Sequence, residues 1–225
     1  MFKGLFERLD FGNTLYYPGC LTHYVLPEIE KNYETLLRQV GVDFIVLPEF
    51  NCCGSPVKNA GYEEDFNILC DKTLSILKKY SVSRIITNCP ACYRVLSDMG
   101  LKVEHVTQTL NRRIDRLKAK KSGKITYHDP CHLGRHSGIY NEPRNILKKV
   151  GFGVVELDNC RENGLCCGGG AGVKTNYPEM SDRIAKDLLS RVKTERLVTP
   201  CPLCYKHLKD NSTNIEVLEF SEVLM

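Results

Sequence analysis

The sequence predicts an α/β protein built from two pseudo-symmetric halves, and two observations carry that prediction. A five-cysteine pattern occurs twice: Cys20, Cys52-Cys53 and Cys89-Pro-Ala-Cys92, then Cys131, Cys166-Cys167 and Cys201-Pro-Leu-Cys204. Corresponding cysteines lie 111 to 114 residues apart, which marks a duplication. Short apolar strands also alternate with amphipathic helices in each half, an order that gives right-handed crossovers and a mostly parallel sheet. Each half is therefore expected to be Rossmann-like. Helices flank its sheet, and its cysteines lie at the carboxyl ends of the strands, where open α/β sheets bind ligands.

Taken in order, the first strands are Thr14 to Tyr17 and Lys124 to His128, each ending just before a single cysteine. Leu26 to Val40 follows as a helix, with Leu26, Ile29, Tyr33, Leu36, Leu37 and Val40 at helical spacing; Pro143 to Val150 matches it. Gly41 and Gly151 end these helices. Phe44 to Leu47 and Val154 to Leu157 read as buried second strands, each leading to a cysteine pair. Gly61 to Tyr80 and Pro178 to Val192 are helices, leading into third strands at Arg84 to Thr87 and Arg196 to Thr199. The C-x-x-C segments come immediately afterwards, and a helix and a last strand complete each half.

The domain reading is a first half at 1–117, a basic linker at 118–124 and a second half at 125–225. Arg112, Arg113, Arg116, Lys118, Lys120, Lys121 and Lys124 crowd that junction, the pattern of a solvated charged connection. A formal net charge of +4 is too small to argue for nucleic acid. Met1 to Asp10 carries Lys3, Glu7, Arg8 and Asp10 with no apolar h-region, and no run of apolar residues would span a bilayer. The expected location is cytoplasmic, or peripheral to a membrane complex. In a reducing compartment, twelve cysteines at fixed spacings point to metal before disulfides.

The number of thiols narrows the metal. Structural zinc takes four ligands, commonly from two C-x-x-C knuckles, whereas each half has one knuckle, a vicinal pair and a fifth cysteine. Cubane iron-sulfur clusters usually use tight C-x-x-C-x-x-C runs, and this chain has none. Five thiolates suit an iron-sulfur cluster with bridging sulfurs, or a four-ligand cluster with a spare redox-active thiol. Gly54, Gly168 and Gly169 follow the pairs, where backbone amides without a Cβ in the way can approach cluster sulfurs; a tight turn alone is the plainer reading. Cys70 falls on the apolar face of its helix as a structural thiol, and Cys160 lies in a loop six residues before Cys166. His23, His128, His132 and His136 read as loop histidines near the cysteines. His132 is the candidate for proton donation to a leaving thiolate, or for an iron ligand.

At these residues the chain resembles the cysteine-rich CCG domain family. Tyr17-Pro18-Gly19-Cys20, Cys52-Cys53-Gly54-Ser55-Pro56, His128-Asp129-Pro130-Cys131-His132 and Cys166-Cys167-Gly168-Gly169-Gly170 are similar to the corresponding segments of heterodisulfide reductase catalytic subunits. The resemblance implies two noncubane [4Fe-4S] clusters, one held by Cys20, Cys52, Cys53, Cys89 and Cys92, the other by Cys131, Cys166, Cys167, Cys201 and Cys204. It implies that a small-molecule disulfide binds between them and is cleaved to two thiolates by electrons delivered singly. The chain carries no ferredoxin-like segment upstream, so the implied partners are a ferredoxin-like iron-sulfur subunit and a flavoprotein in a larger complex. The same domains also occur in electron-transfer subunits of flavin-dependent hydroxyacid, glycerol 3-phosphate and succinate or fumarate oxidoreductases. A zinc-stabilised binding module is the third expectation, and it makes the opposite metal prediction.

Overall fold

The computed structural model describes residues 12–48 and 51–225, so the charged N-terminal stretch Met1 to Asp10 lies outside the described residues. The first half runs β1 (Asn13–Tyr16), α1 (Cys20–Val25), α2 (Pro27–Gln39), α3 (Ser55–Asn59), α4 (Glu63–Lys79), β2 (Val82–Thr87), α5 (Pro90–Asp98), β3 (Val103–His105) and α6 (Val106–Arg112). The second runs β4 (Lys124–Tyr127), α7 (Asn141–Lys149), β5 (Gly153–Glu156), α8 (Val173–Asn176), α9 (Pro178–Ser190), β6 (Arg196–Thr199), α10 (Pro202–Asn211) and β7 (Glu216–Glu219). The strands form two parallel sheets, ordered β1-β2-β3 and β5-β4-β6-β7. The α/β class and the two related halves thus hold.

Several boundaries differ from the sequence reading. The strand expected at Phe44 to Leu47 contracts to a single bridge between Leu15 and Ile45. It is held by Tyr16 N to Ile45 O at 3.0 Å and Ile45 N to Thr14 O at 2.9 Å. Pro48 has no N–H to extend the ladder, and this is the outer edge of the sheet. Its counterpart β5 has no such proline and pairs with β4 over four residues. Helix α1 was not anticipated: Cys20 opens a six-residue helix where a loop was expected. Helix α2 starts with Pro27 at its first turn, carries Glu28 and Glu30 near its positive end and Arg38 near its negative end.

The halves are joined by a common core. One apolar cluster takes Tyr16, Tyr33, Leu36, Leu37, Ile86 and Leu110 from the first half and Ile125, Tyr127, Ile146, Leu147, Val198 and Phe220 from the second. Helices α6 and α7 pack together at this junction. A separate apolar cluster lies on the far side of each sheet. Burying one such side chain stabilises by ~1.5–3 kcal/mol, so the shared cluster makes each half's stability depend on the other. No helix among the described residues is long and apolar enough to cross a membrane.

One polar contact runs through the shared core. Tyr33 of α2 donates its hydroxyl to Glu219 of β7 at 2.6 Å, and the amide and hydroxyl of Ser221 donate to the same carboxylate, each at 2.6 Å. Burial pushes the Glu219 carboxyl up to about 7 from 4.5, with these hydrogen bonds only partly offsetting the cost. A raised carboxyl binds its proton more tightly folded than unfolded, so its stabilising contribution is present below pH 4.5 and is lost as pH rises through about 7. In urea unfolding across that window, wild type should lose roughly 3 kcal/mol relative to E219Q as pH increases. A constant difference between the two proteins would contradict this.

Candidate metal centres

Strand ends position the cysteines. Cys20 opens α1 after β1, Cys89 caps α5 after β2, Cys131 lies in the turns after β4, and Cys201 caps α10 after β6. The pairs Cys52-Cys53 and Cys166-Cys167 reach the same edges from the loops that lead into α3 and α8. In the first half, thiol hydrogen bonds connect Cys20 to Cys52, Cys52 to Cys53, Cys53 to Cys92 and Cys92 to Cys89. In the second half the series is Cys131, Cys166, Cys167, Cys204 and Cys201, in the corresponding order. Ten cysteines therefore gather into two groups of five. Each group reaches solvent at one thiol, Cys20 at the end of the first series and Cys166 next to the end of the second, while Cys53, Cys92, Cys167, Cys201 and Cys204 are buried.

The electrostatics follow from crowding. Hydrogen bonds from Cys20 and Cys53, with a further one from the Gly54 amide, pull Cys52 down to about 2. Cys131, Cys167 and the Gly168 amide do the same for Cys166, also to about 2. Their neighbours move the other way: donation to Cys166 is the main cause that pushes Cys167 up to about 12, and donation to Cys52 raises Cys20. In the first group a hydrogen bond from Cys92 lowers Cys89 as well, so ionisation is uneven along the series, and ionising the raised thiols demands positive charge among the sulfurs. A soft, multi-thiolate donor set of this kind fits iron-sulfur ligation.

Different residues hold the two groups in place. In the first half the Asn88 side chain accepts from Tyr16 at 3.1 Å and donates to Thr22 of α1 at 3.0 Å, while the Asn88 backbone carbonyl lies 3.2 Å from His105 Nε2. This fixes Cys89 against the helix that Cys20 opens. In the second half Arg144 grips Asp129 through two hydrogen bonds at 2.8 and 2.7 Å and Glu156 through two at 2.7 Å. Asp129 is thereby locked two residues before Cys131. Removing one member of such a buried ion pair costs about 3–5 kcal/mol.

The halves also meet at the sites. Helix α1 packs against α10, and Arg94 of α5 donates to the carbonyl of His136, in the turns after Cys131, at 2.7 Å. Each half's single-cysteine segment thus contacts the other half's C-x-x-C helix.

His132 Nδ1 lies 3.4 Å from Cys131 Sγ, and its ring stands 5.0 Å from that of His136. Burial, reinforced by His136, lowers the His132 imidazole below its ordinary value. Gly54 N approaches Cys52 Sγ at 3.5 Å and Gly168 N approaches Cys166 Sγ at 3.4 Å, while the Gly169 amide bonds to Cys167. Cys70 is buried on α4 with Thr73 and Leu77. Cys160 stands beside Asp129, Glu156 and Arg144 and is not part of the thiol series.

His128 is the residue that motif reading undervalued. A nitrogen of its ring and the sulfurs of Cys167 and Cys204 all lie within 4.8 Å of one another, and all three residues are buried. Burial depresses its imidazole to about 4. The available signal was positional, since Tyr17 and His128 each stand three residues before the single cysteine of their half.

Gly19 forms the wall of the first group. Its φ of 81° and ψ of 154° fall where essentially only glycine resides. A Cβ there would meet Cys89 Cβ at 3.0 Å and Cys92 Sγ at 3.2 Å. Gly19→Ala should lower the stability of the metal-free chain by about 1–3 kcal/mol in chemical denaturation, and should impair metal uptake by the first group alone. Unchanged stability would contradict the strain.

The CCG cysteine-rich domain matches this chain twice, over residues 14–97 and 125–209. The chain is 33% identical over 207 residues to a fumarate reductase (CoM/CoB) subunit of Methanothermobacter marburgensis, covering 87% of this chain and 41% of that protein. It is 30% identical over 241 residues to a dihydromethanophenazine:CoB–CoM heterodisulfide reductase subunit of Methanosarcina acetivorans, covering 96% of this chain and 58% of that protein. Against the EtfAB:quinone oxidoreductase of Syntrophomonas wolfei it is 32% identical over 232 residues, covering 93% of this chain and 32% of that protein. The chain thus spans between a third and three fifths of the length of these relatives, all of them oxidoreductases or their subunits. With one copy of the domain in each half, the chain belongs to the CCG cysteine-rich domain family.

Proposed function

We propose that this chain is an iron-sulfur oxidoreductase subunit that reduces a disulfide or heterodisulfide to two thiols. Two noncubane [4Fe-4S] clusters would be held by Cys20, Cys52, Cys53, Cys89 and Cys92 and by Cys131, Cys166, Cys167, Cys201 and Cys204. The observation that carries this reading is the repetition of one five-thiol series in two halves that contact each other beside the cysteines. When bound, the clusters supply one-electron transfer and iron sites with affinity for sulfur. Cleaving one S–S bond consumes two electrons and two protons, so a pair of one-electron centres matches the reaction.

The chain's own residues divide the remaining work. Exposed Cys20 and Cys166 are the thiols through which the two groups reach solvent. Beside Cys166 a solvent-open groove of about 490 Å³ is lined by Leu165, Met180, Arg183, Ile184 and Asp187, which offers apolar contact, one cation and one carboxylate to a ligand. His132 would protonate a leaving thiolate, a role that its contact with Cys131 supports, and its lowered pKa makes the imidazolium a stronger acid. Electrons would arrive from a ferredoxin-like iron-sulfur subunit and a flavoprotein in a larger complex. Two relatives are themselves named as subunits of reductases, which supports that setting.

The relative named a quinone oxidoreductase favours a second reading, in which the same clusters relay electrons and no disulfide is cleaved. Anaerobically prepared protein should contain about eight irons and about eight sulfides per chain. The double variant C89S/C92S should retain about half of each; zinc without sulfide would reject the cluster reading. Adding a thiol or heterodisulfide to the oxidised protein should change its electron paramagnetic resonance signal, and silence towards every disulfide tried would select the relay. If disulfide reduction is observed, H132F should lower turnover ~100-fold or more at low pH, where the imidazolium is populated, and should lose the decline that wild type shows as pH rises through the lowered His132 value.

A further inference from the structure

The two cysteine groups match in sulfur number and order, yet the residues facing them differ in polarity. Tyr17 and His128 are structural counterparts: Tyr17 N donates to Ile86 O at 2.8 Å and His128 N to Val198 O at 3.0 Å, each joining its residue to the neighbouring inner strand, β2 or β6. Their side chains diverge. The Tyr17 hydroxyl stands among the Cys92, Cys53, Cys52 and Cys20 thiols, but its single O–H proton is donated to the carbonyl of Asn51. The shorter His128 ring is 1% exposed, its Nε2 has no hydrogen-bond partner, and one ring nitrogen lies within 4.8 Å of the Cys167 and Cys204 sulfurs. A buried N–H or lone pair without a partner costs about 1–3 kcal/mol, so this arrangement favours a partner that enters with the metal.

The glycine loops differ in the same sense. A Cβ on Gly54 would meet the Phe66 ring at 2.8 Å, and one on its counterpart Gly168 would meet Ser181 O at 2.9 Å and Ile184 at 3.0 Å; at the next position the first half has Ser55, and the second has Gly169, where a Cβ would meet His207 at 3.0 Å. His207 carries a polar relay behind that loop, with Lys174 Nζ at 3.1 Å from its Nδ1 and Ser181 Oγ at 3.0 Å from its Nε2; Ser181 Oγ in turn donates to Gly168 O at 2.9 Å. The amide donors from Gly54 and Gly168 are equivalent in the two halves and do not distinguish them.

We propose that the two sites are electronically unequal, with His128 donating an N–H to the sulfurs of the second site so that it takes up its electron at a higher potential than the first. The inference rests on reading the sites as iron-sulfur clusters. Hydrogen bonds to cluster sulfurs stabilise the added negative charge of the reduced state, and their number is a main determinant of potential. His128 acts here as a positioning residue for charge, reaching sulfur and no substrate atom.

A redox titration of the anaerobically loaded chain, followed by electron paramagnetic resonance, tests this. Wild type should show two reduction steps, and C201S/C204S, which removes second-site ligands, should lose the upper one. H128F should shift the upper step towards the lower at unchanged iron and sulfide content, as should His128→Tyr, which installs the first half's residue. An upper step that survives in C201S/C204S, or that does not move in a fully loaded His128 variant, overturns the proposal. Pulsed resonance on wild type with histidine isotopically labelled at nitrogen should reveal a weakly coupled nitrogen and an exchangeable proton at the second site. Their absence also overturns it, which keeps the test decisive if both variants lose metal. A chain that takes up no iron and sulfide overturns the cluster reading itself, a result distinct from loaded sites with equal potentials.

Discussion

Packing of the two halves through one apolar core is the constraint on which the rest of this molecule depends. Neither three-stranded nor four-stranded sheet covers its inner face alone; Tyr16, Leu36 and Ile86 are buried with Ile125, Tyr127 and Val198 of the other half. That contact sets the distance and angle between the halves, and it brings α1 onto α10 and α5 onto the turns after Cys131. The segments that carry the two cysteine groups consequently meet across this junction. Glu219, buried in the same junction and bonded to Tyr33, shows that this interface also accepts an electrostatic cost.

Within each group the chemistry arises from sulfur crowding. A thiol between two thiol donors and a glycine amide becomes a thiolate, as Cys52 and Cys166 do, and its neighbours then resist ionisation. Soft cations relieve that conflict, which makes each group a candidate metal site whatever electrons later pass through it. The surroundings decide more than the ligands do. Asn88 and its partners hold the first group, the Arg144 pairs hold the second, and the contrast between Tyr17 and His128 makes two copies of one motif into two different environments.

Much of this was legible in the chain. The duplication, the α/β alternation and the place of each cysteine after a strand follow from periodicity and spacing, because side-chain period and chain length constrain parallel crossovers tightly. Weaker local signals failed where tertiary context outweighed them. Phe44 to Leu47 has strand composition, but Pro48 and an unpartnered outer edge leave one bridge at Ile45. Cys20 opens a helix that no periodicity announces, since six residues are too few to display one. His128 looked like one of several loop histidines, because sequence proximity to Cys131 hid its spatial proximity to Cys167 and Cys204.

By itself the sequence determined the thiol inventory, its repetition and the sheet edge to which the thiols belong, since these are set by residue identity and by local hydrophobic period. Only the tertiary structure decided which sulfurs touch, which thiol becomes the thiolate, how the halves face each other and which of two equivalent positions turns a nitrogen toward sulfur. Those outcomes depend on contacts between residues far apart in the chain, within a half as between Cys53 and Cys92 and across the halves as between Tyr33 and Glu219, and on burial, which no local pattern encodes.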